Sequence, residues 1–201
     1  MAQPEQYGLP APFHARPAGV FADVERRMSL FLRALWGRDM KLRPLTGQMR
    51  GGVVRRATFA DHIIGLPQSY PEAAAQPAFY RAAAAHASAH VAFGSQRRPI
   101  GNLTPLQIAL VSLIEDARVE HLAIARFPGL RRLWIPFHTA GSEATVTAEC
   151  LMARLARALI DDEYRDPHPW VNEARRLSLE QRPRWGDQSL SGALGYCLAT
   201  P

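Results

Sequence analysis

Residues 80–94 read YRAAAAHASAHVAFG and residues 104–126 read TPLQIALVSLIEDARVEHLAIAR, and both stretches have the composition of long helices. The first is rich in alanine, the strongest helix former, and its pattern predicts a helix over 72–93 that stops at Gly94. The second begins with Thr104 and Pro105, a typical N-cap and first-turn proline, and predicts a helix to about Arg126. Its apolar residues occur on almost every side, which is typical of a buried helix. We therefore predict a helical core built around these two segments.

The rest of the chain predicts further helices and a little β-structure. Prolines and glycines prevent a long helix in residues 38–71, where Val53–Val54 and Ile63–Ile64 predict two short strands, the second ending at Pro67. Four other segments have helical spacing or helix-start signals: 20–36 (N-cap Asp23, stop Gly37), 143–164, 171–181 and the end of the chain. The predicted fold class is mainly α with a small β-hairpin.

The composition suits a folded domain in a reducing compartment. Of the 201 residues 47% are hydrophobic and 21% are charged, which supports one core and excludes a mainly disordered chain. No apolar run reaches the roughly 18 residues that a membrane span needs, so no membrane insertion is expected. The first residues lack the apolar core of a secretion signal, and Cys150 and Cys197 are the only cysteines. We therefore expect a cytoplasmic protein.

The net charge of +6 is only a weak indication of nucleic-acid binding. All 24 basic residues except Lys41 are arginines, and the chain is also rich in alanine and proline, as a GC-rich coding sequence tends to produce. The arginines are scattered, without the stripe or the motif of a nucleic-acid-binding domain. Because arginine is favoured at protein interfaces, we expect an acidic protein partner and no nucleic acid.

Histidines and carboxylates inside the two long helices are the candidate metal ligands. His86 and His90 are four residues apart, so both imidazoles lie on one helix face and can share one metal ion. In the next helix Asp116 and Glu120 repeat that spacing. Burying carboxylates is costly unless they are paired, protonated or metal-bound. These four side chains are the predicted ligands of a divalent metal, zinc by preference, and no residue is predicted to be catalytic.

A structural network of ion pairs is the alternative to a metal. Arg118 can neutralise Glu115 or Asp116, and either histidine can pair with Glu120. If a metal binds, Glu115 points elsewhere on the helical wheel and would support the ligands from behind. Glu115 and Arg118 are thus predicted either to support the metal ligands or to belong to an ion-pair network. The sequence leaves this choice open.

The order of these parts resembles that of the gluzincin metallopeptidases, which have an edge strand, an HExxH helix and then a helix that supplies a carboxylate ligand. A zincin-like arrangement of strand, HxxxH helix and acidic helix is therefore expected. The residue after the first histidine is Ala87, where those enzymes have the glutamate that activates the zinc-bound water. Peptide hydrolysis by that mechanism is therefore not expected.

Three strings of the sequence belong together: YRAAAAHASAHVAFG, the stretch LVSLIEDARVEHLAIARFPGLRRLWIPFH at 110–138, and DPHPWV at 166–171. Together they resemble the N-terminal region of the NorD family, the nitric oxide reductase activation proteins, to which CbbO, the Rubisco activation protein, is a close relative. The resemblance covers roughly residues 20–198, and its most specific part is IEDARVE followed by FPGLRRLW.

This resemblance implies a non-enzymatic accessory role. Such proteins look like adaptors for a MoxR-type AAA+ ATPase, which remodels a target enzyme that the adaptor selects. The stretch FPGLRRLW with the following PFH favours nitric oxide reductase as the target, and Rubisco is the alternative.

The resemblance also implies how the chain is divided. Family members have a C-terminal von Willebrand factor A domain with a DxSxS adhesion motif. Residues 187–191 (DQSLS) have those letters but no preceding hydrophobic strand, so we treat them as a chance match. We expect an irregular leader over 1–19 and a mostly helical NorD-like N-terminal domain over 20–186. Residues 187–201 would begin a linker or a helix to a missing C-terminal domain.

Overall fold

The computed structural model describes residues 18–45, 48–49, 52–53, 57–60, 63–67, 77–94, 102–142 and 146–200. In this part of the chain the helices are α1 (Ala18–Trp36), α2 (Pro77–Phe93), α3 (Pro105–Arg126), α4 (Gly129–Trp134), α5 (Ala148–Ile160), α6 (Pro169–Glu180) and α7 (Leu190–Ala199). The strands are β1 (Lys41–Leu45), β2 (Gln48–Met49), β3 (Gly52–Val53), β4 (Thr58–Ala60) and β5 (Ile63–Pro67). The predicted class, mainly helical with a small amount of β-structure, is confirmed. None of the helices described is both long and apolar enough to cross a membrane.

Helix ends follow local signals in most places. Gly37 ends α1 with a φ of 66°, a left-handed conformation that glycine adopts without strain. Thr104 caps α3 with a complete capping box, in which Thr104 and Gln107 each accept a hydrogen bond from the other's backbone N–H. The prediction of Asp23 as an N-cap is wrong, because α1 already runs through that residue. The predicted start of α2, residues 72–76, lies outside the described residues.

The connection between α5 and α6 is fixed by one buried carboxylate. Helix α5, Ala148–Ile160, is shorter than the predicted 143–164: Thr147 caps its start and it ends before Asp161. The chain then turns so that Asp166 accepts two hydrogen bonds from Arg154, at 2.8 and 2.5 Å. The Tyr164 hydroxyl and the backbone N–H of His168 donate to the same carboxylate. Both charged side chains of the pair are almost fully buried, so the DPHPW segment anchors the start of α6.

The strands pair differently from the predicted hairpin. β5 ends at Pro67 as predicted, but it lies in the middle of a three-stranded sheet, parallel to β1 and antiparallel to β4. Val53 belongs to a separate two-stranded ladder, β2 with β3. Ile64 and Leu66 of β5 are completely buried and pack in one core cluster with residues of α1 and α2. The partners of β5 depend on which residues are buried together. The apolar pattern of a single strand does not specify those partners.

Small residues let α2 lie close to its neighbours. Ala84, Ala85 and Ala89 are fully buried, and a side chain of one carbon keeps the packed backbones near each other. Two indoles anchor the helix: Trp36 donates to the Ser88 hydroxyl at 2.8 Å, and Trp134 donates to the Ala82 carbonyl at 3.0 Å. The polar face of α2 is therefore held in one orientation.

Helix α3 is the shared wall of the core. One side, around Val119 and Ala123, packs against α2 and α4. The other side, around Leu110 and Ile114, packs with α5, α6 and α7. The backbone of α7 approaches α3 very closely at Gly195, where a Cβ atom would lie 2.7 Å from the Val111 backbone nitrogen. This packing fixes the face of α3 that α2 meets.

Candidate metal centre

The side chains of His86, His90 and Asp116 converge where α2 meets α3. His86 Nε2 lies 3.3 Å from His90 Nε2 and 3.6 Å from Asp116 Oδ1. His90 Nε2 lies 2.9 Å from the same carboxylate oxygen. Each residue thus offers one ligand atom to a common point, and the structure brings together three of the four predicted ligands.

The separations of these three atoms fit one metal ion. Atoms at 3.3, 3.6 and 2.9 Å from one another lie on a circle with a radius of about 1.9 Å, slightly less than the Zn–N distance of about 2.0–2.1 Å. An ion just above their plane can therefore reach bonding distance to all three atoms. In a tetrahedral zinc site the ligand atoms lie about 3.3 Å apart, close to the mean of the three separations.

Glu120, the fourth predicted ligand, lies behind His86. Its Oε1 is 2.8 Å from Nδ1 of His86, the ring nitrogen opposite the one that faces Asp116. Metal-bound histidines commonly donate their second ring N–H to a carboxylate, which fixes the tautomer and the ring orientation. Glu120 was predicted to contribute a ligand atom. In the structure its carboxylate lies instead behind His86, where it can orient that imidazole.

Hydrogen bonds and opposite charges shift two pKa values in the cluster: they raise that of His86 and lower that of Asp116. Burial lowers the pKa of His86, but the hydrogen bonds to Asp116 and Glu120, together with their charges, outweigh it and raise that pKa to about 10. Burial raises the pKa of Asp116, but hydrogen bonds from His86 and His90 hold it far below its usual range. In the absence of a metal, an imidazolium thus lies between two carboxylates, which is the structural network that the sequence left open.

Aromatic rings hold the two imidazoles in place. Phe59, on the edge strand β4, stacks on His90 with 4.7 Å between ring centroids and 13° between planes. Trp134 meets His86 edge-on, at 6.4 Å. The side chain of His90 is 8% exposed, whereas Asp116 is 46% exposed. The cluster is therefore enclosed by aromatic rings on the His90 side and open beside Asp116.

Glu115 and Arg118 form a separate buried ion pair. Arg118 is 1% exposed and donates to both carboxylate oxygens of Glu115, at 2.8 and 2.7 Å. Its other donors reach the carbonyl oxygens of Trp185 and Phe93, and the Ser191 hydroxyl donates to Glu115. These contacts join α2, α3 and α7 and the turn before α7. The sequence left two roles open for Glu115 and Arg118, support of the metal ligands or an ion-pair network. Their contacts are those of an ion-pair network.

Two cleft residues were not among the predicted site residues. His138, just after the short 3-10 turn Ile135–Phe137, and Glu149, in the first turn of α5, line the same cleft as His86, Asp116 and Glu120. Burial is the main cause that lowers the pKa of His138, which keeps its imidazole neutral at pH 7. In the sequence, His138 is the last residue of the 110–138 string, which ends in PFH. No helical spacing relates His138 to the histidines of α2, so the sequence pattern alone did not place it in the site.

The donor set limits the chemistry of the site. Two imidazole nitrogens and one carboxylate oxygen suit zinc in tetrahedral geometry, and the same set forms the facial triad of ferrous sites, whose ligand atoms lie about 3.0 Å apart. At Ala87, where a gluzincin has its glutamate base, the structure has a buried methyl group.

Comparison of the chain with models of known protein families, with curated proteins and with solved structures finds no match.

Proposed function

We propose that this chain binds one divalent metal ion, zinc foremost, through His86, His90 and Asp116, and works as a non-enzymatic accessory protein of the NorD type. The observation that carries the metal site is the triangle of three ligand atoms, with Glu120 bonded to the rear nitrogen of His86. Iron(II) is the second candidate metal, because its facial triad uses the same donors.

The accessory role is supported by where the family-like strings lie. The string 80–94 forms most of α2, and the string 110–138 forms most of α3 and all of α4. These segments supply every residue of the cluster: His86 and His90 come from the first string, and Asp116 and Glu120 come from IEDARVE, within the most specific part of the resemblance. In this proposal the chain cooperates with a MoxR-type AAA+ ATPase and helps to activate a metalloenzyme, nitric oxide reductase foremost and Rubisco as the alternative target.

Metal analysis of protein purified without chelators tests the site. The wild type should contain about one zinc or iron per chain, and the double variant His86→Ala/His90→Ala should contain less than about a tenth. His168→Asn is the matched control, because it removes an imidazole but leaves an N-cap for α6, where His168 Nδ1 accepts from the Trp170 N–H. A wild type without metal after incubation with zinc and with ferrous iron would exclude the metal site.

Association with a MoxR-type ATPase tests the accessory role. A MoxR-type ATPase from the same organism should be retained by the immobilised protein, with or without ATP. A gene neighbourhood with nitric oxide reductase subunits supports that target, and one with Rubisco subunits supports the alternative. Lack of association in both nucleotide conditions, with correctly folded proteins, would argue against the adaptor role whatever the metal content.

A degenerate metallopeptidase is the alternative function, and one observation favours it. The edge strand β4 lies over the HxxxH helix at its second histidine, through the stack of Phe59 on His90. This placement is consistent with the zincin-like order of strand, histidine helix and acidic helix. Zinc-loaded protein should nevertheless leave a mixed peptide library intact, because Ala87 cannot accept a proton. Cleavage that disappears in His86→Ala would favour the peptidase.

A further inference from the structure

A cleft of about 700 Å³ lies beside the metal centre, between α3 and α5. Its wall includes His86, Asp116 and Glu120. Among the three proposed ligands, Asp116 is more exposed than His86 and His90. Any ion held by the cluster is thus reached from this cleft. The volume is within the range of small-molecule binding sites.

Three protein ligands leave coordination positions open. Closed structural zinc sites have four protein ligands, whereas sites that bind an exogenous ligand keep three and an open position. Among the described residues the cluster supplies three ligand atoms. Glu120 is not a fourth, because its carboxylate accepts a hydrogen bond from Nδ1 of His86. We expect the open position on the side of the cleft, because Phe59 covers one face of His90 and Trp134 lies against His86, whereas Asp116 and His86 are exposed to the cleft.

The walls of the cleft define the chemistry of its ligand. Its charged residues, apart from the histidines, are the carboxylates Asp116, Glu120 and Glu149, and no lysine or arginine is among the described residues that line it. Apart from the metal and the histidines, the charged side chains that an anionic ligand would meet in the described walls are therefore all negative. Apolar side chains, including Ile108, Leu113 and Met152, supply the remaining surface, which favours an uncharged, largely apolar ligand body.

We infer that the metal of this centre keeps a coordination position open to the cleft and takes there an uncharged ligand with a largely apolar body, for which substituted imidazoles are suitable probes. This inference rests on the proposed metal site. The neutral His138 imidazole lines the cleft and offers such a ligand one hydrogen bond.

Cobalt-substituted full-length protein tests the open position, because the visible absorption of cobalt(II) reports its ligands. Imidazole and 4-phenylimidazole should both change the spectrum, and 4-phenylimidazole should bind about tenfold or more tightly than imidazole, since its phenyl ring is buried against apolar walls. Azide, as an anion, should bind more weakly than 4-phenylimidazole.

Two variants separate the cleft from the metal. Ala153 is exposed on α5 and lines the cleft, so Ala153→Phe should keep the cobalt spectrum but lose the preference for 4-phenylimidazole. Ala193→Phe, at an exposed position of α7, is the matched control and should behave like the wild type.

The outcomes distinguish the two proposals. Absence of cobalt binding refutes the proposed metal site itself. A cobalt spectrum that no imidazole changes refutes the open position and leaves the metal site standing. A response that appears only in His138→Ala would show that His138 fills the fourth position, and tighter binding of azide would refute the charge argument.

Discussion

Oε1 of Glu120 lies 2.8 Å from Nδ1 of His86, and this contact turns Nε2 of His86 toward Asp116. A carboxylate can only accept, so Nδ1 carries the hydrogen and Nε2 is the nitrogen left for a metal. The contact spans 34 residues of sequence and joins α2 to α3. One hydrogen bond between helices therefore sets the ligand geometry of the centre.

Replacing Glu120 should weaken metal binding without abolishing it. Glu120→Gln preserves the shape of the side chain but removes the negative charge behind His86, so the affinity for zinc should fall by about 10–100-fold. A chelator-competition titration measures this change. Glu149→Gln is the control and should alter the affinity much less, because Glu149 lines the cleft but is not the carboxylate that binds Nδ1 of His86. Equal affinities of wild type and Glu120→Gln would contradict the supporting role.

Zinc should stabilise the folded protein. Saturation at a free concentration one hundred times the dissociation constant contributes about 2.7 kcal/mol, which for a chain of this length raises the melting temperature by about 5–10 °C. Differential scanning calorimetry with zinc, and after removal of zinc by a chelator, measures the shift. The double variant His86→Ala/His90→Ala should show no shift, and a similar shift in that variant would place the zinc elsewhere.

Metal binding should release a proton. With a pKa of about 10 in the metal-free protein, His86 is protonated at pH 7 and must lose one proton when Nε2 binds a metal. The affinity for zinc should therefore rise by about tenfold per pH unit between pH 7 and 9. Calorimetric titrations in buffers of different ionisation enthalpy count the protons. Release of none at pH 7 would show that His86 is already neutral.

The ion pair of Arg154 and Asp166 should make stability depend on pH in the acid range. Burial raises the pKa of Asp166, but hydrogen bonds, foremost from Arg154, lower it from 3.8 to about 2. Because the folded-state pKa is depressed, its contribution is present above the unfolded value and is lost as the pH falls through the folded one. The difference in unfolding free energy between wild type and Asp166→Asn should be about 3 kcal/mol at pH 7 and shrink from pH 4 to 2.

Denaturant titrations at several pH values measure that difference. Glu173→Gln, which breaks an exposed ion pair with Arg176, is the control and should leave the stability almost unchanged. A difference for Asp166→Asn that persists unchanged at pH 2 would mean that the carboxylate contributes through its shape and not through its charge.

The close contact of α7 with α3 should tolerate no added methyl group. In Gly195→Ala the new Cβ would lie 2.6–2.7 Å from three atoms of Val111, two of them backbone, so the helices must separate and the free energy of unfolding should fall by about 2 kcal/mol. Urea denaturation measures the loss. Gly186→Ala is the control, because its Cβ would meet nothing within 4 Å. Equal stability of both variants would mean that α7 is not tightly packed.

Local signals in the sequence were sufficient for the start of α3 and for the ends of α1 and α2. Thr104, Pro105 and Gln107 act within one turn, so the start of α3 follows from neighbouring residues alone. The end of α5 did not follow in this way, because the chain leaves the helix to bring Asp166 to Arg154, twelve residues earlier. Contacts of that range compete with helix propensity and are not encoded in its periodicity.

Spacing along the helices was enough to select the candidate metal ligands: four residues separate His86 from His90 on one face of α2, and the same spacing separates Asp116 from Glu120. The different positions of these four side chains follow from the packing of α2 against α3, which no spacing along one helix specifies. That packing directs Asp116 to the common point and Glu120 to the rear of His86, and it brings His138 into the same cleft. It also pairs β5 with β1 and β4, since strand partners are chosen by what must be buried together. Spacing acts along one helix, whereas the position of a carboxylate oxygen relative to an imidazole nitrogen depends on the contact between two.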